Sequence, residues 1–369
     1  MRGIFFVLVM TSISCLFFTQ TANAFSIVTT IPVGSTPFDI AYDSGKGEMF
    51  VANRGSGDVS VIDDNTNTVV ATINTGTTPQ GAAYDSGKGE IFVTNVNNHN
   101  VSVIDDITNT VVATINVGVG PHGVAYDPVN GEIFVANHGT NSVLGHTVSV
   151  ISDVSNTVVA TINVGSGPNG MAYDSGKGEM FVANRNSADV SVIDDNTNTV
   201  VATINVGLGP HGVAYDPAKG EIFVVNFDSS DVSVIDDNTN TVVATVGVGS
   251  GPHGVAYDSG KSVVLVTNTL GSDDVSVIDD NTNTEIATIP VGGSPEGVEY
   301  DPVRGEIFVA NFFDDTVSII SDSDPVGGTG ITIDTTALLL YGISSSALWW
   351  VPAVVIAGAG VGIYQVKKK

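Results

Sequence analysis

Through the whole middle of the chain, short apolar runs alternate with short polar turns, and the alternation is periodic. The tripeptide Ala-Tyr-Asp (Glu-Tyr-Asp in its last copy) recurs with its tyrosine at Tyr42, Tyr84, Tyr126, Tyr173, Tyr215, Tyr257 and Tyr300. The steps between these tyrosines are 42, 42, 47, 42, 42 and 43 residues. A second marker, Val-Ser-Val-Ile, begins at Val59, Val101, Val148, Val190, Val232 and Val275, and returns at Val317 as Val-Ser-Ile-Ile. Within one period the pattern predicts four strands. In the second unit these are strand A over Gly81 to Tyr84, B over Ile91 to Asn95, C over Val101 to Ile104 and D over Thr110 to Ile115. Turns rich in Gly, Asp and Asn separate them. Runs such as Val111-Val112-Ala113-Thr114-Ile115 are β-branched and apolar on both faces. Such strands belong in a sheet covered on both sides.

A period of about 40–45 residues carrying four strands is the mark of a β-propeller. The ends of the repeat region sharpen the expectation. The last unit stops after its strand C, Val317 to Ile320, while an orphan strand D, Ile27 to Gly34, precedes the first unit. Pairing the two closes a ring of seven blades and leaves no open blade edge. The predicted class is therefore all-β: a seven-bladed β-propeller closed by an N-terminal outer strand, over residues 25–321.

The two ends read differently. Arg2, the mostly apolar stretch Ile4 to Phe18 and the small-residue site Ala22-Asn23-Ala24 make residues 1–24 a signal peptide. Residues 322–346 are rich in Ser, Asp, Gly and Thr near their start and read as a stalk. Residues 347–366 carry no charge, include Trp349 and Trp350, and are followed by Lys367-Lys368-Lys369. That is the length and flanking of a transmembrane helix with a cytoplasmic tail at 367–369. The expected location is the cell membrane, single-pass, with the propeller outside.

Composition narrows the partners. Lys and Arg number 12 against 39 Asp and Glu, a net charge of −27. Nucleic acid is excluded as a partner, since polyanions need clustered cations. A single cysteine, Cys15, excludes an internal disulfide framework and a Cys-rich zinc site. The expected partners are the membrane, through the C-terminal helix, and other cell-surface proteins or glycans.

Strand B ends in tetrads such as Phe50-Val51-Ala52-Asn53, Phe92-Val93-Thr94-Asn95 and Leu265-Val266-Thr267-Asn268. Strand C follows with Val-Ser-Val-Ile-Asp and strand D with Thr-Asn-Thr-Val-Val-Ala-Thr-Ile. This series resembles the YVTN-type β-propeller repeat of prokaryotic surface-layer and cell-surface proteins, with Phe or Leu in place of the first Tyr. The resemblance covers Phe25 to Ser321. It implies the fold and a cell-surface setting, and no one chemistry.

Antiparallel strands put the D–A and B–C loops on one face, here the top, and the A–B and C–D loops on the other, the bottom. All six histidines map to the top. His122, His211 and His253 follow the proline that opens strand A, where the other blades carry Phe38, Gln80, Asn169 and Glu296. These seven side chains are expected to ring the channel mouth and are the candidate ligand-binding residues. His99 and His138 lie in B–C loops, and His146 lies in the five-residue insertion of the third unit. Converging imidazoles suit a transition metal such as copper or zinc, so His122, His138, His146, His211 and His253 are the candidate metal ligands. Calcium at the bottom turns, of the form Asp63-Asp64-Asn65-Thr66-Asn67, is the weaker reading, because such residues form tight turns anyway. No nucleophile elbow, phosphate loop or His-Glu-x-x-His motif is present. Near-identical repeats also argue against an enzyme, whose site needs unlike groups converging. The expected function is a cell-surface binding or structural module. A metal-binding protein or metal-dependent enzyme using the top-face histidines is the alternative.

Overall fold

The computed structural model describes residues 25–140 and 142–322, and two short strands, Ala353–Ala357 and Gly360–Tyr364. The signal peptide, nearly all of the stalk and the Lys367–Lys369 tail lie outside the described residues.

Residues 25–322 fold as seven four-stranded antiparallel sheets. Six are continuous in sequence, in the order A–B–C–D. In the second blade the strands run Pro79–Asp85, Glu90–Asn95, Asn100–Asp105 and Thr110–Asn116. The seventh sheet is composite. Ser26–Pro32 pairs antiparallel with Thr316–Ser321, from Ser26 opposite Ser321 to Pro32 opposite Thr316. The N-terminal strand thus supplies the outer strand of the last blade, as the offset between strands C and D predicts.

The apolar core lies between blades rather than within them. Phe50 and Ala52 of the first blade's strand B cluster with Ile91 and Val93 of the second. Met49 and Val51, on the opposite face of the same strand, cluster with Phe308 and Ala310 of the seventh. Side chains alternate across a strand, so one run fills two cores, and both faces must be apolar. The outer strand D shows the converse. Strand D, expected to be covered on both faces, is not: Thr68–Asn74 alternates between exposed and partly or fully covered positions, because one face of the outermost strand meets solvent.

Two polar devices repeat at every blade. The asparagine ending each strand-B tetrad is buried and ties strand B to strand C. Asn53 Nδ2 donates to Asp58 Oδ1 at 2.8 Å and to Ser60 Oγ at 2.9 Å. On the bottom face, the aspartate of Ala-Tyr-Asp caps its own A–B turn: Asp43 Oδ1 accepts from the backbone N–H of Gly45 at 2.8 Å and of Lys46 at 3.1 Å. The turn lysine then crosses to the next blade, and Lys46 Nζ donates to the Asp106 carbonyl. Lys88, Lys177 and Lys219 reach Asp153, Asp237 and Asp280 in the same way.

The helix expected over 347–366 is not found. Within that span Ala353–Ala357 and Gly360–Tyr364 pair as an antiparallel hairpin. Among the described residues no helix is long and apolar enough to cross a membrane. The local sequence accounts for the difference. Val354, Val355, Ile356, Val361 and Ile363 are β-branched, which favours strand pairing. Only inside a bilayer must all backbone groups of such a segment be satisfied by its own helix.

Candidate functional site

The seven residues singled out at the start of strand A do ring the channel mouth, and most are linked in a belt. Gln80 Nε2 lies 3.0 Å from His122 Nδ1. Asn169 Nδ2 lies 2.8 Å from His211 Nε2. The His211 and His253 rings sit 3.7 Å apart, centre to centre. His253 Nδ1 lies 3.1 Å from Glu296 Oε2. Phe38 closes the circle edge-on to His253 at 5.1 Å. An amide nitrogen can only donate, so His122 accepts at Nδ1 and His211 at Nε2. Their remaining protons therefore sit on His122 Nε2 and His211 Nδ1.

Glycines let the belt close this tightly. A Cβ on Gly123 would stand 2.2 Å from the Asn169 carbonyl oxygen, and one on Gly170 2.3 Å from that of His211. Neighbouring inner strands can approach only where a side chain is missing. The belt and the inner-strand residues beside it line a cavity of about 130 Å³.

Burial, the largest effect, holds His122 and His211 well below the ordinary histidine pKa and lowers His138 and His253 as well. The positive charges of Arg54 and Arg185 add to the depression: Arg54 acts on His122 and His253, and Arg185 on His138, His211 and His253. In all four rings these effects favour the neutral imidazole.

The expected metal ligands come together in pairs. His138, on the extended strand B of the third blade, stacks on His122 with centroids 4.1 Å apart and planes 4° off parallel. His211 and His253 form the second pair. His146 is exposed on the insertion hairpin and does not line the bowl. His99 stands apart, its Nδ1 accepting from the Gly120 N–H at 3.0 Å. Among the described residues no three His, Cys, Asp or Glu side chains are grouped as a metal ion requires. At the acidic bottom turns the first carboxylate has internal work. Asp63 Oδ1 accepts from both N and Oγ1 of Thr66 at 2.8 Å, which lowers the Asp63 pKa.

Above the belt the top face opens into a bowl. One lobe of about 650 Å³ lies along Arg54, Asn97, His122, His138, Thr140 and Arg185. A second of about 310 Å³ lies along Phe38, Arg54, Arg185, His211, Phe227 and His253. Arg54 stacks over Phe38 at 5.4 Å and Arg185 over Phe227 at 5.3 Å.

Sequence reasoning missed these two arginines, which share one repeat position just after the strand-B asparagine, where the other blades carry Val96, His138, Phe227, Thr269 and Phe312. It also missed Asp39 and Glu299. Asp39 replaces the glycine of strand A and Glu299 the alanine before the tyrosine. Both changes are visible once the seven copies are aligned.

No family model matches the chain, and no curated protein does. Among solved structures, 1657 chains are similar. One is Kuenenia stuttgartiensis hydrazine synthase, at 19% identity and a TM-score of 0.69, covering 78% of this chain and 95% of that one. At that identity the likeness shows the propeller fold alone, and a fold so widely shared selects no chemistry.

Proposed function

We propose that the chain is a membrane-anchored, extracellular propeller that acts as a binding module of the cell surface through its top-face bowl. One observation carries the reading. Seven nearly identical repeats diverge at the strand-A position that lines this bowl, where Phe38, Gln80, His122, Asn169, His211, His253 and Glu296 all meet. A scaffold of near-copies that carries five different side-chain types at the one inner position where its units converge on a concavity is suited to present that concavity. The resemblance of its tetrads to surface-layer propeller repeats supports the setting. So do the leader-like residues 1–24 and the uncharged residues 347–366 before three lysines.

Two fractions test it. The full chain is expected in the membrane fraction of the producing cell, and a variant ending at residue 346 in the medium. The released chain should rebind intact cells, and a bulky adduct on a cysteine at Thr140, which lines the bowl, should abolish that rebinding. The same adduct at Asn65, on the bottom face, should not. A truncated chain that stays with the membrane rules out the anchor, and rebinding indifferent to the Thr140 adduct rules out the bowl.

A further inference from the structure

The propeller contains eight cationic side chains: Lys46, Arg54, Lys88, Lys177, Arg185, Lys219, Lys261 and Arg304. Six lie in the A–B turns of the bottom face. Several are neutralised there: Lys46 pairs with Glu48 at 2.9 Å, Lys219 with Asp280 at 3.2 Å and Arg304 with Glu306 at 3.3 Å. The top face has only Arg54 and Arg185, from the B–C loops of the first and fourth blades. Among the described residues neither guanidinium forms an ion pair with a carboxylate. In a chain with 39 acidic residues against 12 basic ones, that is unexpected for two half-buried arginines.

Both unpaired guanidiniums line both lobes of the bowl. Each rests on a phenylalanine, Arg54 on Phe38 and Arg185 on Phe227. A guanidinium stacked over a ring keeps its N–H donors free, because they lie in its own plane. The two carboxylates that share the lobes are Asp228 and Glu296. Glu296 is engaged by His253 at 3.1 Å and by Ser294 Oγ at 3.3 Å.

We infer that the bowl is an oxyanion site, in which Arg54 and Arg185 grip a carboxylate, sulfate or phosphate group of the ligand. Guanidinium forks match such groups in a bidentate manner. The Asn97 and Asn186 amides and the Thr140 hydroxyl line the same lobe, and offer neutral donors to the rest of an anionic ligand. The strongly negative remainder of the molecule excludes anions elsewhere, so the site is selective by position as well as by contact. The inference deepens the binding-module reading by naming the ligand's chemistry. It does not depend on where the chain is anchored.

Calorimetric titration of the detergent-solubilised full chain with sodium sulfate, sodium phosphate and glucuronate tests it. Saturable binding of at least one anion is expected, weakening as sodium chloride is raised. Glucuronate alone would assign a planar carboxylate, and sulfate or phosphate a tetrahedral group. Arg54→Gln and Arg185→Gln should each lower affinity by about tenfold or more, the usual weight of a charge-assisted hydrogen bond. Lys177→Gln, on the bottom face, should leave it unchanged, and the thermal transition of each variant checks folding. Absence of saturable binding for all three anions, or equal affinity in the Arg54→Gln/Arg185→Gln double variant, overturns the inference. Cell rebinding that survives in that double variant would leave the bowl a binding site and remove only its anion chemistry.

Discussion

Asp39 and Glu299 are the two residues at which this chain contradicts its own repeat most sharply. Both lie on inner strands. Asp39 lines the upper channel and Glu299 its lower mouth. Asp39 Oδ2 accepts from the Ala82 N–H of the next blade at 3.1 Å, a contact no glycine could make. Desolvation in the channel pushes the Asp39 carboxyl up to about 6. It pushes Glu299 up to about 8, with the Asp39 charge adding to the effect. The sign for stability follows from proton counting. Between its ordinary value of 4.5 and about 8, Glu299 holds more protons in the folded state than in the unfolded one. Its contribution therefore falls as pH rises through that window and levels off above about 8. Glu299→Gln removes the charge and keeps the shape. We expect the thermal midpoint of Glu299→Gln to match the parent in acid and to exceed it increasingly toward pH 8, then to hold a constant margin. A margin that stays flat from pH 5 to pH 9 would show that Glu299 is solvated like a surface carboxylate.

At the scale of the element, the composite seventh blade decides whether the ring is closed. Ser26–Pro32 buries Ile31 against Val317 and the core shared with the first blade. Removing residues 25–34 would expose the backbone edge of Thr316–Ser321 and open that core. Such a truncation should lower the thermal midpoint markedly and make the protein aggregate. A truncated protein as stable as the full chain would mean that another segment covers the edge. This closure was legible in the sequence because a missing strand D and an orphan one are matters of counting. The belt was legible for the same reason: a position one residue after a repeated proline must recur at one radius of the ring. What the repeat could not tell was pairing. That His122 meets His138 while His146 stays apart depends on how the insertion extends strand B to Thr140 and begins strand C at Val143. The arginines escaped notice because they sit at a loop position that changes from blade to blade, and their meaning comes from lacking a partner in three dimensions. The span 347–366 was the least legible, since β-branched residues and glycines read as helix only on the premise of a bilayer.

For the whole molecule, the direction of the last strand decides on which face of the propeller the chain leaves it. In each blade A runs from top to bottom, B returns and C descends again, so the chain leaves the propeller at Ser321 on the bottom face. If residues 347–366 hold the protein in the membrane, the acidic turns are the side nearest the lipid and the bowl looks outward. Anionic headgroups would then repel the bottom face, whose turns carry Asp63, Asp105, Asp194, Asp236 and Asp279. That repulsion would keep the propeller standing off the surface and leave the bowl open to ligands from the medium. In that anchored arrangement a linker of roughly 15–25 residues would permit some tumbling, with attachment on one face biasing the average. Thr140, on the top, and Asn65, on the bottom, are both exposed in the fold, so intrinsic access is comparable. On intact cells a cysteine at Thr140 should react with a membrane-impermeant maleimide faster than one at Asn65, and the difference should vanish when the protein is released in detergent. Equal rates on the cell would show free tumbling. A faster Asn65 would mean that the propeller is tethered by its top face, with the bowl turned toward the membrane.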